Sequence, residues 1–275
     1  MSSDKAFFVD TTRCQGCRGC QVACKQWNGL PGEKTDFFAG PEYTNPGRLS
    51  AITWNHVKFF KLRKRDTDRP EWNIMHKKCY HCIDANCIAV CPEKAISKKD
   101  GFTVIDQSKC IGCGACVTEC VYDVPQVSDK THVNDMGQRI VIKDKSHKCN
   151  ACTLNERDIP ACVKTCPSGA LKFGYRLEII KMAQERVKDI KKEFPKASIY
   201  GLKEFGGLRV ITILRDAPST FGLPVGKKAK TISTAKAEEV KDMYSLFATM
   251  SFGVPLLKRA SYRMAKALSG NKKPS

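Results

Sequence analysis

The residues best equipped for chemistry in this 275-residue chain are its sixteen cysteines, which fall into four groups of four with none left over. Cys14, Cys17, Cys20 and Cys24 are separated by two, two and three residues, and Cys110, Cys113, Cys116 and Cys120 repeat that spacing. Cys79, Cys82, Cys87 and Cys91 carry it with two extra residues in the middle, and Cys149, Cys152, Cys162 and Cys166 carry it with a longer insertion. Thiolates are soft ligands, and three on one tight loop with a fourth from another part of the chain suit a [4Fe–4S] cubane. The small residues between them, Gly16 and Gly19, then Gly112, Gly114 and Ala115, let the backbone curl close and turn N–H groups toward sulfur.

The spacing is that of the bacterial ferredoxin run, whose fourth cysteine serves the neighbouring cluster. Pro92 and Pro167 follow Cys91 and Cys166 as in that run, whereas Lys25 and Val121 follow Cys24 and Cys120. Zinc sites use two CxxC pairs at distant spacing and need no third cysteine close behind the second. Disulfides suit small exported scaffolds, and this chain is long enough to bury a core without them. A CxxxCxxC run of the radical S-adenosylmethionine type is absent, because Trp27 stands where its third cysteine would follow Cys20 and Cys24.

Chain order predicts which groups pair. Only eighteen residues lie between Cys91 and Cys110, so the middle groups close on each other, giving one cluster on Cys79, Cys82, Cys87 and Cys120 and another on Cys91, Cys110, Cys113 and Cys116. The outer groups then pair, with Cys14, Cys17, Cys20 and Cys166 on one cluster and Cys24, Cys149, Cys152 and Cys162 on the other. The expected cofactors are four [4Fe–4S] clusters strung along the molecule like a wire, their iron held by these same thiolates. The expected fold class is α+β: two ferredoxin-like modules of two cubanes each, interleaved in sequence, with a C-terminal α+β extension. Residues 1–30 and 121–172 would form the first, proximal module, 31–78 an insert with a strand, and 79–120 the second, distal module. Residues 173–232 would be a helix-strand extension and 233–275 a basic amphipathic segment.

The positioning elements are read from periodicity and turn signals. Leu30-Pro31-Gly32-Glu33, Gly40-Pro41 and Asn45-Pro46-Gly47 read as turns. Ala51 to Leu62, β-branched and aromatic, reads as a strand; its basic end at residues 61–65 reads as a solvated terminus, with a docking patch as the alternative. A hairpin is expected about Val133-Asn134-Asp135-Met136-Gly137, with Arg139 to Ile142 as a strand. From Tyr175 to Phe194, apolar residues at Leu177, Ile180, Met182 or Ala183, Val187 and Ile190 predict a helix stopped by Pro195, and Leu208 to Leu214 predicts a strand. Tyr244 to Leu257 is apolar but fourteen residues long, against about 20 for a spanning helix. Two readings of it stand: an interfacial or partner-binding segment with Lys258, Arg259, Arg263 and Lys266 facing phosphates or an acidic subunit, or an ordinary packed helix with a basic end.

Forty-seven Lys and Arg against twenty-eight Asp and Glu give a formal charge of +19, most of the excess lying after residue 170, where no cysteine does. Four oxidised cubanes on sixteen thiolates would lower the net to about +11. With no C2H2 finger, RNP-type aromatic motif or basic heptad region, nucleic acid is not an expected partner. The five histidines, His56, His76, His81, His132 and His147, sit singly, and none is assigned as a ligand. His81 and His147 neighbour cysteines and are expected beside the clusters or at the surface. No triad, carboxylate pair or Gly-rich nucleotide loop appears, so no catalytic residue is assigned.

Two cysteine-bearing stretches, residues 17–28 (CRGCQVACKQWN) and 160–171 (PACVKTCPSGAL), carry a family resemblance. Met182-Ala183-Gln184-Glu185-Arg186-Val187, Ile199-Tyr200-Gly201 and Phe221-Gly222-Leu223-Pro224 extend it beyond the clusters. The chain resembles the iron–sulfur (beta) subunits of molybdenum- or tungsten-dependent oxidoreductases, and within them those of formate dehydrogenases, over residues 5–232. The resemblance implies a non-catalytic electron-transfer subunit, with the Cys14 cluster facing a molybdenum/tungsten-pterin catalytic (alpha) subunit. Electrons would pass next to the Cys24 cluster, then to the Cys79 cluster, and leave from the Cys110 cluster for a cytochrome or other redox subunit. A hydrogenase, nitrate reductase or polysulfide reductase wire is the rival within the class; a membrane- or nucleic-acid-binding module stapled by clusters is the rival outside it.

Membrane-bound relatives end in one spanning helix that meets a cytochrome b, whereas this chain has only the short apolar stretch, with membrane-surface contact as its expected extent. The longest apolar stretch of the first ten residues, Ala6 to Val9, is too short for a signal-peptide core. The expected compartment is the periplasm, reached by co-export with a signal-bearing partner, with the cytoplasm as the alternative.

Overall fold

A computed structural model of the chain describes residues 4–35, 43–63, 70–134, 136–155 and 158–250. Its core is a four-stranded sheet in the order β10-β1-β12-β11, formed by β1 (Lys5–Asp10), β10 (Leu171–Tyr175), β11 (Ser198–Tyr200) and β12 (Val210–Leu214). β1 pairs antiparallel with β10 and parallel with β12, so the first strand joins segments some two hundred residues away, as in Phe7 opposite Val210. Both faces of β1 are covered: Ala6 and Phe8 pack toward α5 (Arg176–Ile190), while Phe7 and Val9 belong to the cluster of side chains that also holds Cys24, Cys79, Cys149 and Cys162. A strand buried on both faces reads as a continuous apolar run, here Ala6-Phe7-Phe8-Val9, rather than as an alternation. The expected boundary between residues 172 and 173 falls inside β10.

The cysteine runs lie outside this sheet on short helices. α1 (Gly19–Trp27) packs against α4 (Ala161–Lys164), and α2 (Asn86–Ala89) against α3 (Ala115–Thr118). The hairpin of β4 (Ile96–Lys99) and β5 (Phe102–Ile105) sits between the second and third runs, closed by Asp100-Gly101 with both residues at positive φ, the geometry its right-handed twist prefers. β2 (His56–Arg63) and β3 (Pro70–Lys77) form a second hairpin; the expected strand from Ala51 starts later, because residues 51–55 bend. Small pairings of β6 (Gln126–Val127) with β9 (Ser146–His147) and β7 (His132–Val133) with β8 (Arg139–Val141) lead into the fourth run.

α5 forms where periodicity places a helix, and its buried face departs from the expected one only in the first turns. Ile179, Ala183, Val187 and Ile190 meet the sheet, while Leu177 is 71% exposed. Ala183, Val187 and Ile190 are buried as expected, and Ile179 rather than Leu177 meets the sheet in the first turns. α6 (Thr234–Met250) lies on α2 and α3 through Ala237, Val240 and Tyr244, and its Tyr244 hydroxyl is 2.9 Å from Thr118 Oγ1. The first part of the C-terminal apolar stretch is thus a packed helix; Lys258, Arg259, Arg263 and Lys266 lie outside the described residues. No helix among the described residues is long and apolar enough to cross a membrane.

Ile179→Ala is expected to cost about 2–5 kcal/mol, and Leu177→Ala to stay within about 0.5 kcal/mol. Anaerobic urea unfolding of the two variants checks this, and equal losses would contradict the helix orientation.

Candidate iron–sulfur centres

The structure sorts the thiols by space in a pattern different from their order along the chain. Cys14, Cys17 and Cys20 line one cavity together with Cys166. Cys24, about one turn of α1 beyond Cys20, lines a second cavity with Cys149, Cys152 and Cys162. Cys79, Cys82, Cys87 and Cys120 line a third. Cys91, Cys110, Cys113 and Cys116 lie together beside the β4–β5 hairpin, near enough for their charges to interact. The fourth cysteine of every run therefore sits with the first three of another. α1 and α4 achieve this exchange for the outer runs, and α2 and α3 achieve it for the inner ones.

Contacts between quartets give them an order. Cys20 of the first lies near Cys162 of the second, Cys149 of the second near Cys79 of the third, and Cys87 of the third near Cys116 of the fourth. The sequence of quartets is linear, with both ends reaching outward. Cys17 of the first is exposed, all four thiols of the second are buried, and three of the four are partly accessible in both the third and the fourth.

The donors fit cubanes on two grounds. First, burial pushes the thiols up, Cys20, Cys120 and Cys149 to about 12 and Cys87 and Cys113 to about 11, because ionised sulfur in a low-dielectric interior lacks solvation and neighbouring thiolates repel it. A multivalent metal group supplies the missing positive charge, and binding it releases the thiol protons. Second, donors already point at the sulfurs: Ala95 N–H to Cys91 Sγ at 3.3 Å, Ser146 N–H to Cys110 Sγ and Ala151 N–H to Cys149 Sγ, both at 3.4 Å. Such bonds tune cluster potential. Among the described residues, no three His, Cys, Asp or Glu side chains converge as they would on a single ion; the thiols ring volumes instead.

His81 and His147 are both buried, so neither is at the surface. His81 Nδ1 accepts the N–H of Thr103 at 3.1 Å, and burial beside Lys148, Lys78 and Lys98 holds the ring well below the usual histidine range, hence neutral. His76, buried, lines the first cavity. Sequence reasoning missed two lysines. Lys78 and Lys148 are 2% and 5% exposed, and they line the second and third cavities respectively. A signal was present: a basic residue precedes the first cysteine of every run, in Arg13-Cys14, Lys78-Cys79, Lys109-Cys110 and Lys148-Cys149.

Short helices, hairpins and four thiol quartets define an α+β iron–sulfur protein of the dicluster kind. Two family models, each described as 4Fe-4S dicluster domain, match residues 13–95 and 70–176. The nitrate-inducible formate dehydrogenase iron-sulfur subunit of Escherichia coli K12 is 31% identical over 237 residues, covering 83% of this chain and 75% of that protein. Formate dehydrogenase 2 subunit beta (cytochrome c-553) of Nitratidesulfovibrio vulgaris Hildenborough is 32% identical over 73% of this chain and 90% of that protein. The hydrogenase-2 operon protein HybA of E. coli O157:H7 is 28% identical over 91% of this chain and 80% of its own length. The chain belongs to the family of formate dehydrogenase iron–sulfur subunits. It is an electron-transfer subunit rather than a catalytic one, and its sixteen cysteines in two dicluster domains support four [4Fe–4S] clusters.

Gly112, at φ +70, is placed so that a Cβ would run into the backbone carbonyl of Asp144. Gly112→Ala is therefore expected to open the Cys110–Cys116 loop and lose about four irons per chain. Gly169→Ala, also at positive φ but with open space around it, should keep them. Iron and acid-labile sulfide assays on anaerobically purified protein check both.

Proposed function

We propose that this chain relays electrons between a molybdenum- or tungsten-pterin formate dehydrogenase catalytic subunit and a downstream acceptor such as a cytochrome. The observation that carries the reading is the single file of thiol quartets, wholly buried at the second and reaching the surface at Cys17 of the first. In the proposed assignment, Cys14, Cys17, Cys20 and Cys166 hold the cluster nearest the catalytic subunit. Cys24, Cys149, Cys152 and Cys162 hold the second, Cys79, Cys82, Cys87 and Cys120 the third, and Cys91, Cys110, Cys113 and Cys116 the last. Each cluster would supply a one-electron site; the protein's part is to fix spacing, exclude water and set the surrounding charge.

Under this reading the chain is two interleaved ferredoxin-like modules, residues 1–30 with 121–172 and residues 79–120. The insert 31–78, the extension 173–232 and the C-terminal segment 233–275 complete the division. The packing of α1 on α4 and of α2 on α3 supports it. α6 packs beside Cys113 of the last quartet; that end is the proposed exit toward the acceptor, as the family resemblance implies, and the basic residues after it are the proposed membrane-surface contact. The proposed compartment is the periplasmic side, reached with a signal-bearing partner, the cytoplasm being the alternative; this follows from the family resemblance.

The similarity to HybA favours one second reading, a wire for a hydrogenase. The two separate in an anaerobic absorbance experiment on the natively purified complex. Formate is expected to bleach the cluster band promptly. No response to formate in a preparation that both dithionite and hydrogen bleach would overturn the formate assignment in favour of the hydrogenase.

A further inference from the structure

The basic residue before the first cysteine of each run has two fates. Arg13 and Lys109 are exposed. Lys78 and Lys148 are buried, and among the described residues neither pairs with a carboxylate. A buried ammonium without a counter-ion is costly, so its compensation has to come from its surroundings. Those surroundings are crossed. Lys78, next to Cys79 of the third quartet, reaches into the second: its Nζ is 3.9 Å from Cys162 Sγ and lies over the face of Phe7, which lines the same cavity. Lys148, next to Cys149 of the second quartet, reaches into the third. Its Nζ donates to the carbonyls of Thr103 and Cys149, the latter at 3.2 Å, and Thr103 lines the third cavity. The electrostatic couplings agree: Lys78 acts on Cys24 and Cys149, and Lys148 on Cys87.

We infer that Lys78 and Lys148 are exchanged counter-charges of the two middle clusters, each raising the reduction potential of the cluster on the far side of its own backbone. The inference rests on the proposed relay and its ligand sets. A cluster on four thiolates carries about −2 when oxidised and one more negative charge when reduced. A fixed ammonium nearby therefore favours the reduced form, and more strongly in a dry interior than at the surface. The outer clusters, closer to water, have only the exposed Arg13 and Lys109 at the equivalent positions. Without the exchange, the deepest cluster would be the hardest to reduce and would stand as a barrier in the middle of the file. Lys98, whose Nζ lies 2.9 Å from Thr103 Oγ1, also faces the third quartet, so removal of Lys148 is partly compensated. Lys25 also acts on Cys24 of the second quartet, but Glu33 beside it offsets its charge, so removal of Lys78 is compensated less.

The test is EPR-monitored redox titration of the purified complex carrying Lys78→Met or Lys148→Met, with Lys→Arg at each position as the charge-retaining control. Cys152→Ser or Cys87→Ser marks the second or third cluster by its altered signal. Lys78→Met is expected to lower the midpoint of the second cluster by an amount equivalent to about tenfold or more in its reduction equilibrium. Lys148→Met should lower the third by less, and the arginine variants should hold near the unmodified values. Where a methionine variant does not load its iron, the glutamine variant takes its place with the same expected direction. Unmoved midpoints, or a shift confined to the cluster whose ligand is the lysine's chain neighbour, overturn the exchange. Fewer than four clusters on the unmodified chain would instead overturn the relay reading beneath it, which iron and sulfide assays on that chain decide separately.

Discussion

Every cysteine run gives its fourth thiol to a cavity formed by another run, and the rest of the molecule is arranged around that exchange. Cys24 and Cys20 are four residues apart and line different cavities, as do Cys162 and Cys166. For one turn of helix to feed two sites, α1 and α4 must lie side by side, which brings residues 19–27 against residues 161–164. The chain between them is then a closed loop containing the whole inner pair of runs. β1, placed between β10 and β12, ties the start of that loop to the segments that follow its end.

Burial and charge follow from the same constraint. Thiols gathered in fours within a dry interior resist ionising, so the apo cavities hold potential anions without the cations they need. The two buried lysines show the opposite deficiency, ammonium groups that pair with no carboxylate among the described residues. Iron–sulfur clusters, electropositive toward sulfur yet anionic as a whole with four thiolates, answer both at once. Folding and cofactor loading are in this respect one process.

The grouping of thiols could be read from the sequence because ligand geometry acts through short, countable spacings such as Cys110-x-x-Cys113-x-x-Cys116. The hairpin at Val133 to Arg139 and the helix at residues 176–190 were legible for a similar reason, since turns and helices are set by neighbours. The sheet was not. β1 and β12 pair in parallel across some two hundred residues, with no turn to announce them, and the strand from Leu208 gave no sign of its partner. The α5 face was legible at Ala183, Val187 and Ile190 but not in its first turns, where two apolar residues, Leu177 and Ile179, stand close together and only the fold shows that Ile179 is the buried one. Lys78 and Lys148 were passed over because a lysine beside a cysteine is ordinary in sequence, and only the fold shows that two of four such residues are buried.

The central claim is the exchange of fourth cysteines along a single file of clusters. Iron-anomalous diffraction from crystals of the anaerobically purified complex tests it most directly. Four cubanes in line are expected, each bound by three cysteines of one run and the last cysteine of another, beginning with Cys14, Cys17, Cys20 and Cys166. A cubane held by Cys14, Cys17, Cys20 and Cys24 alone, or by any other single run, would contradict it.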